Sequence, residues 1–118
     1  MKISEAARKS GLSIDTIRFY EKSGLVPHVS RGVDGHRRFS PDTIDWLVLL
    51  ASLRATGMPM RAMRAFAELY AQGDATIRAR RQTLLDHAER LKTMQRDLDH
   101  CAALLDKKLG IYRDMLGE

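Results

Sequence analysis

From Asp74 to Leu109 the chain contains neither proline nor glycine, and Ile77, Leu84, Leu91, Leu98 and Leu105 recur there at every seventh residue, with Tyr112 continuing the series. A helix of roughly 35 residues is ~52 Å long at 1.5 Å per residue, about twice the breadth expected of the residues 1–72 that precede it. Its own domain cannot cover it. Ala88, Met94, Cys101, Ala102 and Leu109 fill neighbouring positions of the same 3.5-residue repeat, and only Gly110 to Glu118 follow, too little to supply a second helix. The sequence therefore predicts a coiled-coil homodimer built on 73–109, with 110–118 as a short tail.

Before that helix the pattern changes. Ser4 is a suitable N-cap for a short helix whose apolar face is Ala6, Ala7 and Leu12, and Gly11 permits a sharp turn. Ser13 then caps a second helix with Ile14, Ile17 and Leu25 inward and Asp15, Thr16, Arg18, Phe19 and Tyr20 in the outward set. Two short helices around a glycine turn make a helix-turn-helix, and such an outward face suits the major groove of DNA. Arg18 can pair bidentately with guanine, while Ser13, Thr16 and Tyr20 can bond phosphates. An ordinary solvated helical face is the plain alternative.

The next segment favours DNA. Val29 to Val33 and His36 to Phe39 flank Asp34-Gly35, the pair preferred in a two-residue type I′ turn, so a small β-hairpin is expected. It carries Arg31, Arg37 and Arg38 against Asp34 alone, and a thin basic ribbon beside a recognition helix can lie along the sugar-phosphate backbone. A solvated edge hairpin blunted by charge is the alternative.

Ser40-Pro41-Asp42 combines an N-cap, a proline at the first helical position and an acid at the positive end of the dipole. A third helix should follow, with Ile44, Leu47, Val48, Ala51 and Ala55 as its stripe and Gly57 as its stop. Pro59 opens a fourth through about Ala71, with Met63, Phe66, Ala67 and Tyr70 inward and Arg61 and Arg64 outside. The fold expected is mainly α: a winged helix-turn-helix over 1–72, with a hairpin wing, and then the long dimerisation helix.

Thr16-Ile17-Arg18-Phe19-Tyr20-Glu21-Lys22-Ser23-Gly24-Leu25, followed by Gly35-His36-Arg37-Arg38-Phe39-Ser40, resembles the MerR family of bacterial transcriptional regulators. Both motifs stand in the family's order and spacing, and the resemblance covers Met1 to about Tyr70 in detail. It implies DNA contacts from Arg18 and Tyr20 of the second helix and from Arg37 of the wing. His36 stands where the family often has tyrosine, and Phe19 where it usually has the first of two. Arg61 and Arg64 become weaker phosphate candidates, because the family uses helices three and four as a second wing. The resemblance also implies antiparallel long helices with two heads on a palindromic operator. Activation in the family works by distortion, which brings two polymerase elements of an over-long promoter spacer into register; RNA polymerase is then an indirect partner.

No effector follows from this. Metal-sensing relatives place cysteines at the start of the long helix and in a loop beyond it, whereas this chain has Cys101 alone, and two thiolates from one chain are impossible. His87, His100 and Cys101 do not converge on one helix: His100 and Cys101 diverge around it, and His87 lies ~21 Å along it from Cys101. A cluster shared between subunits is the remaining geometry, but Cys101 reads more simply as a seam hydrophobe, and no metal ligand set or cofactor site is assigned. Relatives that sense electrophiles carry a cysteine in the third helix, where this chain reads Leu50-Ala51-Ser52-Leu53-Arg54.

Composition sets the outer limits. The net charge is +5, of which residues 1–72 hold +4 and residues 73–118 only +1, so the excess sits on the proposed DNA-binding half. The longest apolar run, Trp46 to Ala51, is far too short to span a bilayer. A first helix beginning beside Met1 and a lone cysteine point to the cytoplasm. No glycine-rich phosphate loop or acid pair argues for an enzyme. An architectural or recombination-accessory DNA-bending protein without an effector is the serious alternative to a regulator.

Overall fold

The computed structural model describes residues 1–26, 30–31 and 37–118, with the side chains of 30, 31, 37 and 38 outside that description. It is mainly helical: α1 (Ile3–Ser10), α2 (Ile14–Lys22), two-residue strands β1 (Ser30–Arg31) and β2 (Arg37–Arg38), α3 (Pro41–Ala55), α4 (Met60–Ala71), one 3₁₀ turn (Asp74–Thr76) and α5 (Ile77–Met115). Residues 1–83 form one compact unit and residues 84–118 another.

Helix boundaries follow local chemistry. The Ser13 hydroxyl accepts the Thr16 amide at 3.0 Å and the Ser40 hydroxyl accepts the Thr43 amide at 3.1 Å, so both expected N-caps are in place, with Pro41 opening α3. The turn between α1 and α2 rests on Gly11 at φ 78°, a left-handed conformation that side-chain-bearing residues rarely adopt. Ser4 is not a cap. α1 begins two residues earlier than a Ser4 cap requires, with Lys2 at the N-cap position and no side-chain cap bond, which leaves Ser4 inside the first turn.

The core of the first unit is Ala6, Ile17, Leu25, Phe39, Leu47, Leu50, Met58, Met63, Phe66 and Ala67, all essentially buried. α3 contributes through a face rotated from the expected one. Thr43, Ile44, Trp46, Leu47, Leu50 and Leu53 are buried, whereas Val48 and Ala55 are exposed and Ala51 is half-buried. Trp46 decides this orientation: its indole N–H donates to the Leu25 carbonyl at 2.7 Å, and its ring stacks on Phe66 and Tyr70 of α4. A single large aromatic with a buried hydrogen bond outweighs the small residues of the alternative stripe.

Ser30 pairs with Arg38 and Arg31 with Arg37 in an antiparallel ladder. The two-residue turn expected at Asp34-Gly35 falls between these strands. Asp34, Gly35, His36 and the rest of 32–36, like 27–29, lie outside the described residues. Beyond β2, the Phe39 amide donates to the Met1 carbonyl at 2.7 Å and the Met1 nitrogen donates to the Phe39 carbonyl at 2.9 Å.

α5 does not stop near Leu109. It passes through Gly110 to Met115 and ends before Gly117 at φ 74°. One internal glycine costs a helix only about 1 kcal/mol relative to alanine, too little to break 39 residues of continuous hydrogen bonding. The residues assigned to a separate tail are thus mostly the last turns of the same helix.

Candidate nucleic-acid interface

Ser13 and Thr16 define how α2 starts: besides accepting the Thr16 amide, the Ser13 hydroxyl donates to Thr16 Oγ1 at 2.8 Å, fixing both side chains at the exposed N-terminal end. Helix periodicity then sorts the rest. Ile17 and Tyr20, three residues apart and on one face, are buried, while Asp15, Arg18 and Phe19 are exposed. Phe19 is 54% exposed, the large apolar side chain on this outward face. A half-exposed phenyl ring beside an exposed guanidinium fits a groove in which thymine methyls alternate with guanine acceptors.

Tyr20 corrects the expected outward set. Its side chain is only 5% exposed, because a residue three positions after Ile17 lies just 60° from it around the helix. Its first role is packing. Of the remaining predicted contacts, Arg31, Arg37 and Arg38 sit in the β1–β2 pair, and His36 falls outside the described residues. Arg61 and Arg64 are exposed on α4, one turn apart, so both cations remain on the surface of the first unit.

The residue that sequence reasoning passed over is Trp46. The available signal was its spacing: Trp46, Leu50 and Leu53 stand at i, i+4 and i+7, one helical face. It ties the exit of α2 to α3 and α4 through the Leu25 carbonyl and the Phe66 and Tyr70 rings.

In residues 84–118 the seam predicted from the heptads is an uncovered apolar stripe. Leu91 is 39% and Leu98 62% exposed, and Met94, Leu105, Leu109 and Tyr112 are exposed along with them. Ile77, at the start of α5, is exposed too, and Leu84 is half-buried. Cys101 is an exposed free thiol, and among the described residues no group of three or more His, Cys, Asp or Glu side chains is placed to hold a metal ion.

His87 is the exception to the exposure of this segment. It is buried, and Arg90 Nη2 lies 3.1 Å from its Nδ1. Burial, and secondarily the Arg90 charge, hold its pKa below the ordinary imidazole value of 6.5. The unfolded chain takes up that proton as pH falls through 6.5 while the folded chain refuses it, so His87 favours unfolding below that pH and is neutral in both states above it. Thermal unfolding at pH 7.5 and at 5.5 should therefore show a loss of midpoint in the wild type that is smaller in His87→Gln. An equal loss in the two proteins would remove His87 as the cause.

Residues 1–69 match the family model described as MerR HTH family regulatory protein. An uncharacterized HTH-type transcriptional regulator of Haemophilus influenzae is 38% identical over 110 residues, 93% of this chain and 82% of that protein. The HTH-type transcriptional regulator AdhR of Bacillus subtilis is 34% identical over 91 residues, 77% of this chain and 65% of that protein. Among solved structures, HiNmlR, a MerR family regulator lacking the sensor domain and bound to promoter DNA, superimposes with a TM-score of 0.88 at 37% identity, over 96% of this chain and 90% of that one. The relatives are named as transcriptional regulators, which are not enzymes, and no described helix is long and apolar enough to cross a membrane.

Proposed function

This chain belongs to the MerR family of helix-turn-helix regulators, and from that premise we propose that it regulates transcription as a homodimer bound to a palindromic promoter operator. The observation that carries the reading is the exposed face of α2: a capped helix in a helix-turn-helix, presenting Arg18 and Phe19 with the hydrophobic side buried. The structural neighbour HiNmlR is bound to promoter DNA, which supports a DNA-binding role for this chain.

In this reading Arg18 reads a base edge and Phe19 packs on bases or sugars, with Asp15 bordering the contact. Ser13 and Thr16 approach phosphates at the helix start. Arg31, His36, Arg37 and Arg38 form the wing on the adjoining backbone, and Arg61 and Arg64 reach a more distant phosphate. The partner helix covers the stripe of Ile77, Leu84, Leu91, Leu98 and Leu105, antiparallel, so that the two heads meet the two half-sites. Bending and untwisting of the bound promoter then changes the register of the elements that RNA polymerase reads. Twofold symmetry of the protein is what a palindromic site mirrors.

Titration of the protein against DNA flanking its own gene, at 50 and 200 mM salt, tests the binding reading. Tight, salt-sensitive binding is expected, and Arg37→Ala should weaken all duplexes similarly while lowering the salt slope by about 2, as loss of one phosphate contact from each subunit does. Binding no stronger to that DNA than to an unrelated duplex would contradict sequence-specific regulation.

A further inference from the structure

The exit of α2 is held by a buried side chain of α3. After α2 ends, Gly24 turns the chain at φ 77° and the Leu25 amide closes onto the Tyr20 carbonyl at 2.9 Å. Leu25 is fully buried, and its own carbonyl accepts the Trp46 indole N–H at 2.7 Å.

Trp46 in turn rests on α4. Its ring stacks on Tyr70, centroids 4.3 Å apart at 27°, and on Phe66 at 5.2 Å and 13°. The Arg80 guanidinium of α5 lies 5.2 Å from the centroid of the Tyr70 ring. Arg80 is itself fixed: Nε donates to Thr76 Oγ1 at 3.0 Å and Nη2 to the Gly73 carbonyl at 3.1 Å, while the Thr76 hydroxyl bonds the Leu69 and Gly73 carbonyls. A cation over an aromatic face, with its N–H groups bound to the linker between α4 and α5, has one geometry rather than many. All of these residues lie within the first compact unit.

We propose that Trp46, Tyr70 and Arg80 form a positioning chain through which the first turns of α5 fix the backbone at Leu25, and with it the setting of Arg18 and the strands relative to DNA. Simple core filling would need neither a polar indole aimed at one backbone carbonyl nor an arginine held against a ring. The proposal rests on the DNA-binding reading above for its consequence, and on the protein's internal geometry for its mechanism.

The protein has a single tryptophan, so one indole N–H resonance reports the Leu25 bond directly. In the DNA-free full-length protein, Arg80→Gln should shift that resonance and speed its exchange with solvent, and Arg80→Lys, which keeps a cation over Tyr70, should restore it in part. An unmoved resonance in Arg80→Gln, with unchanged exchange, would overturn the chain.

The second arm uses a duplex selected by the wild-type protein from a randomised pool. Trp46→Phe and Arg80→Gln should each weaken its binding by about tenfold, and the double variant should be no weaker than the worse single one to within about twofold, because coupled residues do not add. Losses that multiply toward a hundredfold, or singles that each change binding less than twofold, would contradict it. Circular dichroism of each variant at the assay temperature establishes that folded protein is compared. If no duplex emerges from the pool, the DNA-binding reading fails by itself, and the indole resonance still decides the chain.

Discussion

Replacing both Leu91 and Leu98 with aspartate is expected to leave the protein monomeric at concentrations where the wild type is fully paired. Both side chains are substantially exposed in the single chain, at 39% and 62%, and both lie on the seven-residue stripe that no other part of residues 84–118 covers. Burying a leucine is worth roughly 1.5 to 3 kcal/mol. The exposed fractions of the two side chains together amount to about one whole leucine per chain, so in a symmetric dimer the pair of substitutions removes on the order of 3 to 6 kcal/mol of association before any charge is counted. Four carboxylates would also enter an apolar seam without partners, which costs still more. Sedimentation velocity reads the result directly. A dimer that survives both changes would show that this stripe is not the interface, and the two-headed arrangement would have to be abandoned. The head's core, which lies in residues 1–83, contains neither residue, so the variant should retain its folding transition.

Arg18→Ala is the substitution expected to damage operator recognition most. Arg18 is exposed on α2 next to Phe19, the half-exposed ring of the same face, and a bidentate arginine contact to guanine is worth roughly 1 to 3 kcal/mol of discrimination. Operator affinity should therefore fall about 5- to 150-fold for each half-site that loses its contact, with a much smaller change on unrelated DNA and a relaxed preference at one base pair of each half-site. That pattern separates a base-reading residue from a phosphate contact such as the one expected of Arg37, whose loss weakens every sequence alike. Equal weakening on operator and unrelated DNA would move Arg18 to the phosphate class; unchanged affinity would remove it from the interface.

The features legible in the sequence were those fixed by local chemistry. Ser13 and Ser40 cap helices because a hydroxyl at that position meets an orphan amide, and Gly11 turns the chain because few other residues tolerate its φ. The heptad stripe was readable for the same reason: periodicity is a property of the chain itself. What was not legible depends on tertiary partners. Tyr20 looks like an outward donor until the head closes over it, and Trp46 reads as one more apolar residue until the Leu25 carbonyl and the α4 rings are in place. The latter pair rotates α3 away from the Val48 and Ala55 stripe that counting favours. Gly110 misled in the opposite sense: a local breaker lost to the cooperativity of a long helix.

Nuclease protection of the selected operator, read together with the protein-to-DNA stoichiometry, tests the central claim most directly. One dimer is predicted to protect two half-sites related by a twofold axis, with centres separated by about 10.5 base pairs or a multiple of it, and to leave a hypersensitive centre where the duplex is distorted. A single protected half-site for each dimer, or uniform coating without symmetry, would contradict a two-headed regulator acting on a palindrome.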